Sequence, residues 1–243
     1  MELISVLLED NPRRVVRRAL AAGWLRAAIV PVGSTEQHNE HLAMGHDSNT
    51  VRWLARRAAE DVFPAAVVCP VIPLGVSEHW MDHPGTLTLS PETFLHVVYE
   101  ICDSLRRHGI ARIMILNGHG GNRRPLEEKI EEFRSRLGVR LDCCSYWDAY
   151  PEQTRRELLS TGECPGHAGE FETSVALAAF PDTVHWSDEP YPQQELRIAQ
   201  ASRAADDRRF FVGARAASAD KGQRLLDIAA RWLADRMRRL LQD

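Results

Sequence analysis

Four short apolar runs rich in valine and isoleucine are spread along the chain: "RAAIVPVG" from Arg26, "AAVVCPVIP" from Ala65, "ARIMILNG" from Ala111 and "VRLDCCSYW" from Val139. Their length and composition predict strands. Between them, apolar positions return at helical spacing. Asn11-Pro12 opens one helix, which stops at Gly23, and an amphipathic stretch begins near Val51. Ser90-Pro91-Glu92 opens a helix running to about His108, with Gly109 as its stop, and "RRPLEEKIEEFRSRLG" ends at Gly138. A last helix, from about Lys221, places Leu225, Ala229, Trp232, Leu233 and Leu240 on one buried face. Strands alternating with helices predict an α/β fold with a mostly parallel central sheet. No linker, repeat or low-complexity tract divides the chain, which reads as one domain over residues 1–243. The polar segment 187–211 carries no clear period and reads as a long loop over the site or as irregular surface.

Composition narrows the function by exclusion. The chain of 243 residues is long enough to bury a sizeable core, and 44% of it is apolar. A net charge of -4 gives no reason to expect nucleic acid or an anionic membrane as partner. No stretch approaches the roughly 20 apolar residues of a membrane span. The start, "MELISVLLEDNPRR", is too acidic for a secretory signal. Five cysteines without paired CxxC spacing indicate neither a disulfide framework nor a structural zinc site, and free thiols fit the cytoplasm.

Candidate chemistry is concentrated where strands give way to helices, the edge at which parallel sheets gather ligands. "GSTEQHNEHLAMGHDSNT" (Gly33 to Thr50) and "NGHGGN" (Asn117 to Asn122) occupy two such turns. Glu36 and His38 are separated by one residue, so in an extended segment they point the same way. Asp47 returns to the same place if the loop folds back, and His119 sits among glycines that let backbone approach an ion. A third cluster, "GHAGEFETS", carries His167, Glu170 and Glu172 at the start of a helix. Mixed imidazole and carboxylate ligation suits zinc, manganese or iron, and the donor count suits two ions sharing a carboxylate. Taken singly, the residues have ordinary readings: Glu36 a helix-capping acid, His41 and His46 solvated loop histidines, Glu172 a helix-surface or outer-sphere acid. Ser34 lacks the G-x-S-x-G surroundings of a nucleophile, and Cys143 and Cys144 lie in a strand.

"PVGSTEQH" with Asp47 downstream, "HPGTLTLSPET", "LNGHGGN" and "HAGEFETS", in that order and spacing, resemble the creatininase family of metal-dependent amidohydrolases. The resemblance spans the chain from about Ile29 to the "DKGQRLLDIAARW" helix. It implies a three-layer α/β/α sandwich and two divalent ions, zinc first with manganese or iron as alternatives. It also implies a homo-oligomer, a hexamer in the family, and a small-molecule amide substrate. The implied reaction opens a carbon–nitrogen bond (amide, lactam or formamide) with a water activated by both ions. By position, Glu36 and His119 bind one ion, His38 the other, and Asp47 bridges them, while His167 falls on the histidine used for proton transfer.

The family also contains deformylases and peptidases that mature a peptide-derived redox cofactor of the mycofactocin type. Such a peptidase and a non-catalytic metal-binding member are the competing readings. Trp147 matches a tryptophan lining the creatininase pocket, whereas a second pocket tryptophan is missing near Glu163. Glu78 and His79, in "VSEHWMDHPGT", fall near the expected pocket mouth and suggest a polar substrate. Creatininase proper has a metal-binding glutamate where this chain has Gly121. Glu170 is expected to replace it, because a helix over 167–174 would put positions 167 and 170 on one face.

Overall fold

The computed structural model describes residues 3–186 and 213–242, so the expectation for 187–211 lies outside the described residues. All four predicted strands form: β1 (Ala27–Val32), β2 (Ala66–Val68), β3 (Arg112–Asn117) and β4 (Arg140–Ser145). They pair in the order β2-β1-β3-β4, every pair parallel. Both faces of the sheet are buried because successive side chains of a strand point opposite ways. Ala27 and Ile29 enter one apolar core; Ala28, Val30 and Val32 enter the other.

Helices cover both faces. On the first lie α2 (His46–Glu60), α6 (Glu170–Ala179) and α7 (Ala219–Leu241); on the second, α1 (Arg13–Ala21), α3 (Pro91–Arg107) and α4 (Gly120–Leu137). The α/β/α sandwich is therefore present. A short α5 (Glu152–Leu158) adds Leu158 to the first core. Two helix starts, those of α3 and α7, follow side-chain capping chemistry. The hydroxyls of Ser90 and Ser218 accept from the Thr93 and Lys221 amides, each at 3.2 Å. Helix α4 starts at Gly120, three residues before the predicted start, so the glycines after His119 form its first turn. No described helix is long and apolar enough to cross a membrane.

The register puts the site in place. Val32 pairs with Asn117 and Asn117 with Ser145, so β1, β3 and β4 end level and release their loops at one edge. Buried Asn122 ties two of these loops to the 76–77 segment: its amide donates to Gly33 O at 3.0 Å and its oxygen accepts from the Val76 amide at 2.9 Å. Asn117 likewise donates to His119 O and Ser145 Oγ.

Helices α6 and α7 cross at closest approach at Gly222, where a Cβ would lie 1.8 Å from the Ser174 carbonyl oxygen. The obstacle is backbone, which cannot rotate aside. Gly222→Ala should therefore destabilise the protein by about 1–3 kcal/mol, the usual range for overpacking, as read by chemical denaturation. An unchanged midpoint would show that this crossing is not tightly packed.

Candidate metal centre

Glu36 and His38 leave β1 on an extended segment and are almost fully buried. Asp47 occupies the first turn of α2, where the helix dipole favours an anion. His119 caps α4 after β3, and Glu172 lies in the first turn of α6. Two loops and two helix starts thus deliver five donors to one point. Asp47 stands between the histidines: its Oδ1 is 3.2 Å from His38 Nε2, and its Oδ2 is 3.0 Å from His119 Nδ1. Glu36 Oε1 lies 3.3 Å from His119 Nδ1, and Glu172 Oε2 lies 3.8 Å from His38 Nε2.

The tautomers follow from the outer partners. A carbonyl only accepts, so His38 Nδ1 donates to Glu36 O (3.1 Å) and His119 Nε2 donates to Val76 O (3.0 Å). In each neutral ring the nitrogen facing the carboxylates therefore carries a lone pair, the arrangement of a metal-binding histidine held by an outer hydrogen bond. Lone pairs and carboxylates at 3.0–3.3 Å repel unless a cation lies among them. Asp47 Oδ2 has no aligned hydrogen-bond donor despite its burial. The donor set fits divalent ions.

The same electrostatics govern protonation. Burial disfavours the charge on His38, yet the Asp47 carboxylate overcomes this and raises its pKa to about 10. His119 rises to about 10 against burial through Asp47 and Glu36. Burial also opposes ionisation of Asp47, but His38 and His119 hold it far below the ordinary carboxylate range. Glu172 is pushed up to about 8, by burial first and then by the Asp47 and Glu36 charges. In the metal-free chain protons serve as the cations, and a metal ion would displace them.

His167 is held neutral by burial and by the nearby positive His38. Its Nδ1 lies 3.8 Å from Glu36 Oε1, and its ring stacks on Trp80 at 4.5 Å. Gln37 fixes the other nitrogen. The Asn39 amide donates to Gln37 Oε1 (2.9 Å), so the Gln37 NH₂ faces His167 Nε2 at 2.7 Å and donates to it. Sequence reasoning missed Gln37; its place between Glu36 and His38 was the only available signal. A cavity of about 160 Å³ opens over the cluster, walled by Trp80, Trp147, His79 and His167.

Several expectations change. Glu170 does not face the cluster: its oxygens accept from the Ser160 and Thr161 amides, at 2.9 and 2.8 Å, and from Lys221. The reason is backbone geometry. Ala168 has φ +49°, so the helix begins only at Glu170 and His167 is not one turn before it. Glu172 points inward instead. Glu78 is exposed and does not line the cavity, whereas His79 stacks on His119 with centroids 5.8 Å apart. His41 and His46 are buried, not solvated; His41 Nε2 meets Thr173 Oγ1 at 2.8 Å. At Gly121 a Cβ would lie 1.9 Å from Val76 O, so no side chain fits there without moving the backbone. Ser34 is no nucleophile in a strained elbow; its hydroxyl contacts Ser77 Oγ at 2.6 Å and Glu36 Oε2 at 3.4 Å.

A family model described as "Creatininase: Creatinine amidohydrolase" matches residues 16–237. The chain belongs to the creatininase family. It is 28% identical to the creatinine amidohydrolase of Pseudomonas putida over 231 residues, 86% of this chain and 88% of that one. It is 29% identical to the mycofactocin precursor peptide peptidase of Mycolicibacterium smegmatis over 229 residues, 88% and 85% of the two chains. A creatinine amidohydrolase crystal structure superposes with TM-score 0.81 at 25% identity, covering 99% of both chains. Two further creatininase structures, a mutant of Zn-Zn type and a Mn form, are each 27% identical with TM-score 0.79, covering 98% of this chain and 99% and 100% of theirs. A creatininase-family hydrolase with a divalent-metal site accounts for the donor cluster.

Glu172→Gln and Glu170→Gln should separate the two acids of α6. The first is expected to weaken one bound ion, read by metal titration. The second should leave metal content intact but lower stability by about 1–3 kcal/mol, as a buried hydrogen-bond network loses its charged member. The reverse pattern would restore Glu170 as the ligand.

Proposed function

We propose that the protein is a metal-dependent amidohydrolase that opens the carbon–nitrogen bond of a small polar substrate. The observation that carries this reading is Asp47, whose two oxygens each face a histidine with its metal-binding nitrogen turned inward. Glu36, Asp47 and His119 would hold one ion; His38, Asp47 and Glu172 would hold the other. Bound there, divalent ions polarise a carbonyl and lower the pKa of water toward neutrality. The family match over residues 16–237 supports treating the chain as one metallohydrolase domain.

The chain's own residues supply the proton traffic. Because Gln37 donates to Nε2, neutral His167 carries its proton on Nδ1, on the side of Glu36. The attacking water loses its proton to the neighbouring Glu36 carboxylate, which passes it to the departing nitrogen while His167 Nδ1–H orients that nitrogen, so the hydroxyl stays on the carbonyl carbon. Trp80, stacked on the ring, keeps the imidazole in that plane. The narrow cavity admits a compact group, and Trp147 and His79 in its wall favour a flat, polar one. Similarity to the mycofactocin precursor peptide peptidase supports a second reading, in which the scissile bond belongs to a short peptide.

Elemental analysis of protein purified without chelator should give close to two equivalents of divalent metal, and chelation should abolish hydrolysis reversibly. Screening cyclic amides, formamides and short peptides against the loaded enzyme would separate the two substrate classes. His167→Ala should keep its metal yet lose turnover by about 10²–10⁴-fold. Equal loss of metal and turnover would make it a ligand instead. Gln37→Leu should slow turnover by about 10-fold, the cost of one lost hydrogen bond, and shift the pH profile of kcat at unchanged metal content. An unshifted profile would remove Gln37 from the mechanism.

A further inference from the structure

His46 is the first residue of α2, immediately before the bridging Asp47, and is only 1% exposed. Its hydrogen bonding does not explain its burial. Nδ1 has no hydrogen-bond partner, and Nε2 meets only Thr50 Oγ1, at the 3.5 Å limit. The ring packs edge-on against Phe180 at 5.6 Å and tilts toward the His38 ring at 5.1 Å. A neutral imidazole with one nitrogen unsatisfied in the interior costs about 1–3 kcal/mol. An aliphatic side chain would fill the same space without that cost.

What the position does offer is a donor. One ligand atom each from His38, His46 and Glu172 lie within 4.8 Å of one another. Two ligands sharing one ion at about 2.1 Å each are at most about 4.2 Å apart, so a side-chain adjustment of under about 1 Å closes the group. Without His46 the ion on the His38 side has three protein ligands: His38, Asp47 and Glu172. The place after His119 cannot supply a fourth, because backbone fills the space beside Gly121.

We propose that His46 is a metal ligand that completes, with His38, Asp47 and Glu172, a closed four-donor site for one of the two ions; the inference rests on the two-ion reading above. It divides the centre into unlike halves. His38 and His46 do not line the cavity; Asp47 and Glu172 do, as do Glu36 and His119 of the other half. An ion on the His38 side would sit behind Asp47 and Glu172, with both histidines away from the cavity. An ion on the His119 side, with Glu36, Asp47 and His119 all facing the cavity, would be the one open to substrate, the feature that separates catalytic from structural sites.

The test uses the full chain loaded with cobalt(II) alone. Wild type should take up two ions. His46→Leu should retain one at wild-type affinity and lose affinity for the other by more than about 100-fold, beyond the range for outer-sphere partners. His46→Cys, loaded the same way, should show a thiolate-to-cobalt charge-transfer band absent from wild type, since that band requires a bond between side chain 46 and the ion. Wild-type affinity for both ions in His46→Leu, or no band in His46→Cys, overturns the assignment. Should His46→Leu fail to fold, the cysteine spectrum decides. Fewer than two ions in wild type would instead remove the two-ion reading, while the band still reports whether position 46 meets a metal.

Discussion

Everything at the site depends on one electrostatic constraint: three carboxylates and two inward-facing imidazole nitrogens share a buried space in which only a cation makes their proximity favourable. Glu36, Asp47 and Glu172 are each nearly inaccessible to water, and an unpaired buried carboxylate would neutralise rather than stay charged. Protons can satisfy the cluster, as the raised pKa values of His38 and His119 show. Divalent ions do so with more charge per contact. Asp47 is the hinge of this arrangement because its oxygens face different histidines on different loops.

The surroundings are built to keep that cluster from relaxing. Level strand ends bring the loops together, and Asn117 and Asn122 hold backbone groups from the loops at fixed separations. Carbonyls of Glu36 and Val76 lock the histidine tautomers. Pre-set donors of this kind avoid the cost of ordering side chains when a metal or substrate arrives. The wall above the cluster is a separate matter. His79, Trp80 and Trp147 lie on short 3-10 turns within connecting segments, and such connections vary without disturbing the sheet. Proteins with this sandwich can thus keep their metal chemistry while acting on different molecules.

Much of this is legible in the chain itself. Continuous Val- and Ile-rich runs have one stable use between amphipathic helices, and all four became strands. Serine and proline at helix starts, with glycine at helix ends, act through local backbone geometry, so α3 and the end of α4 are where their punctuation put them. Glu36, His38, Asp47 and His119 were recognisable because strand-end turns are local features, and a parallel sheet has only one edge at which they can meet.

What only the tertiary structure decided concerns residues whose role depends on how an element is rotated. Glu170 and Glu172 are two residues apart in one helical turn, which puts them about 200° apart around its axis. Their neighbours in sequence do not say which faces the sheet's ligand edge. Packing of Phe171 and Val175 into the core, and the close crossing of α6 over Gly222, fix that rotation: Glu172 turns inward and Glu170 toward Lys221. His46 follows the same logic. In a polar stretch it reads as a solvated histidine, but α2 begins at that residue and its first turn is pressed against the centre, so a side chain with polar neighbours in sequence is buried in space.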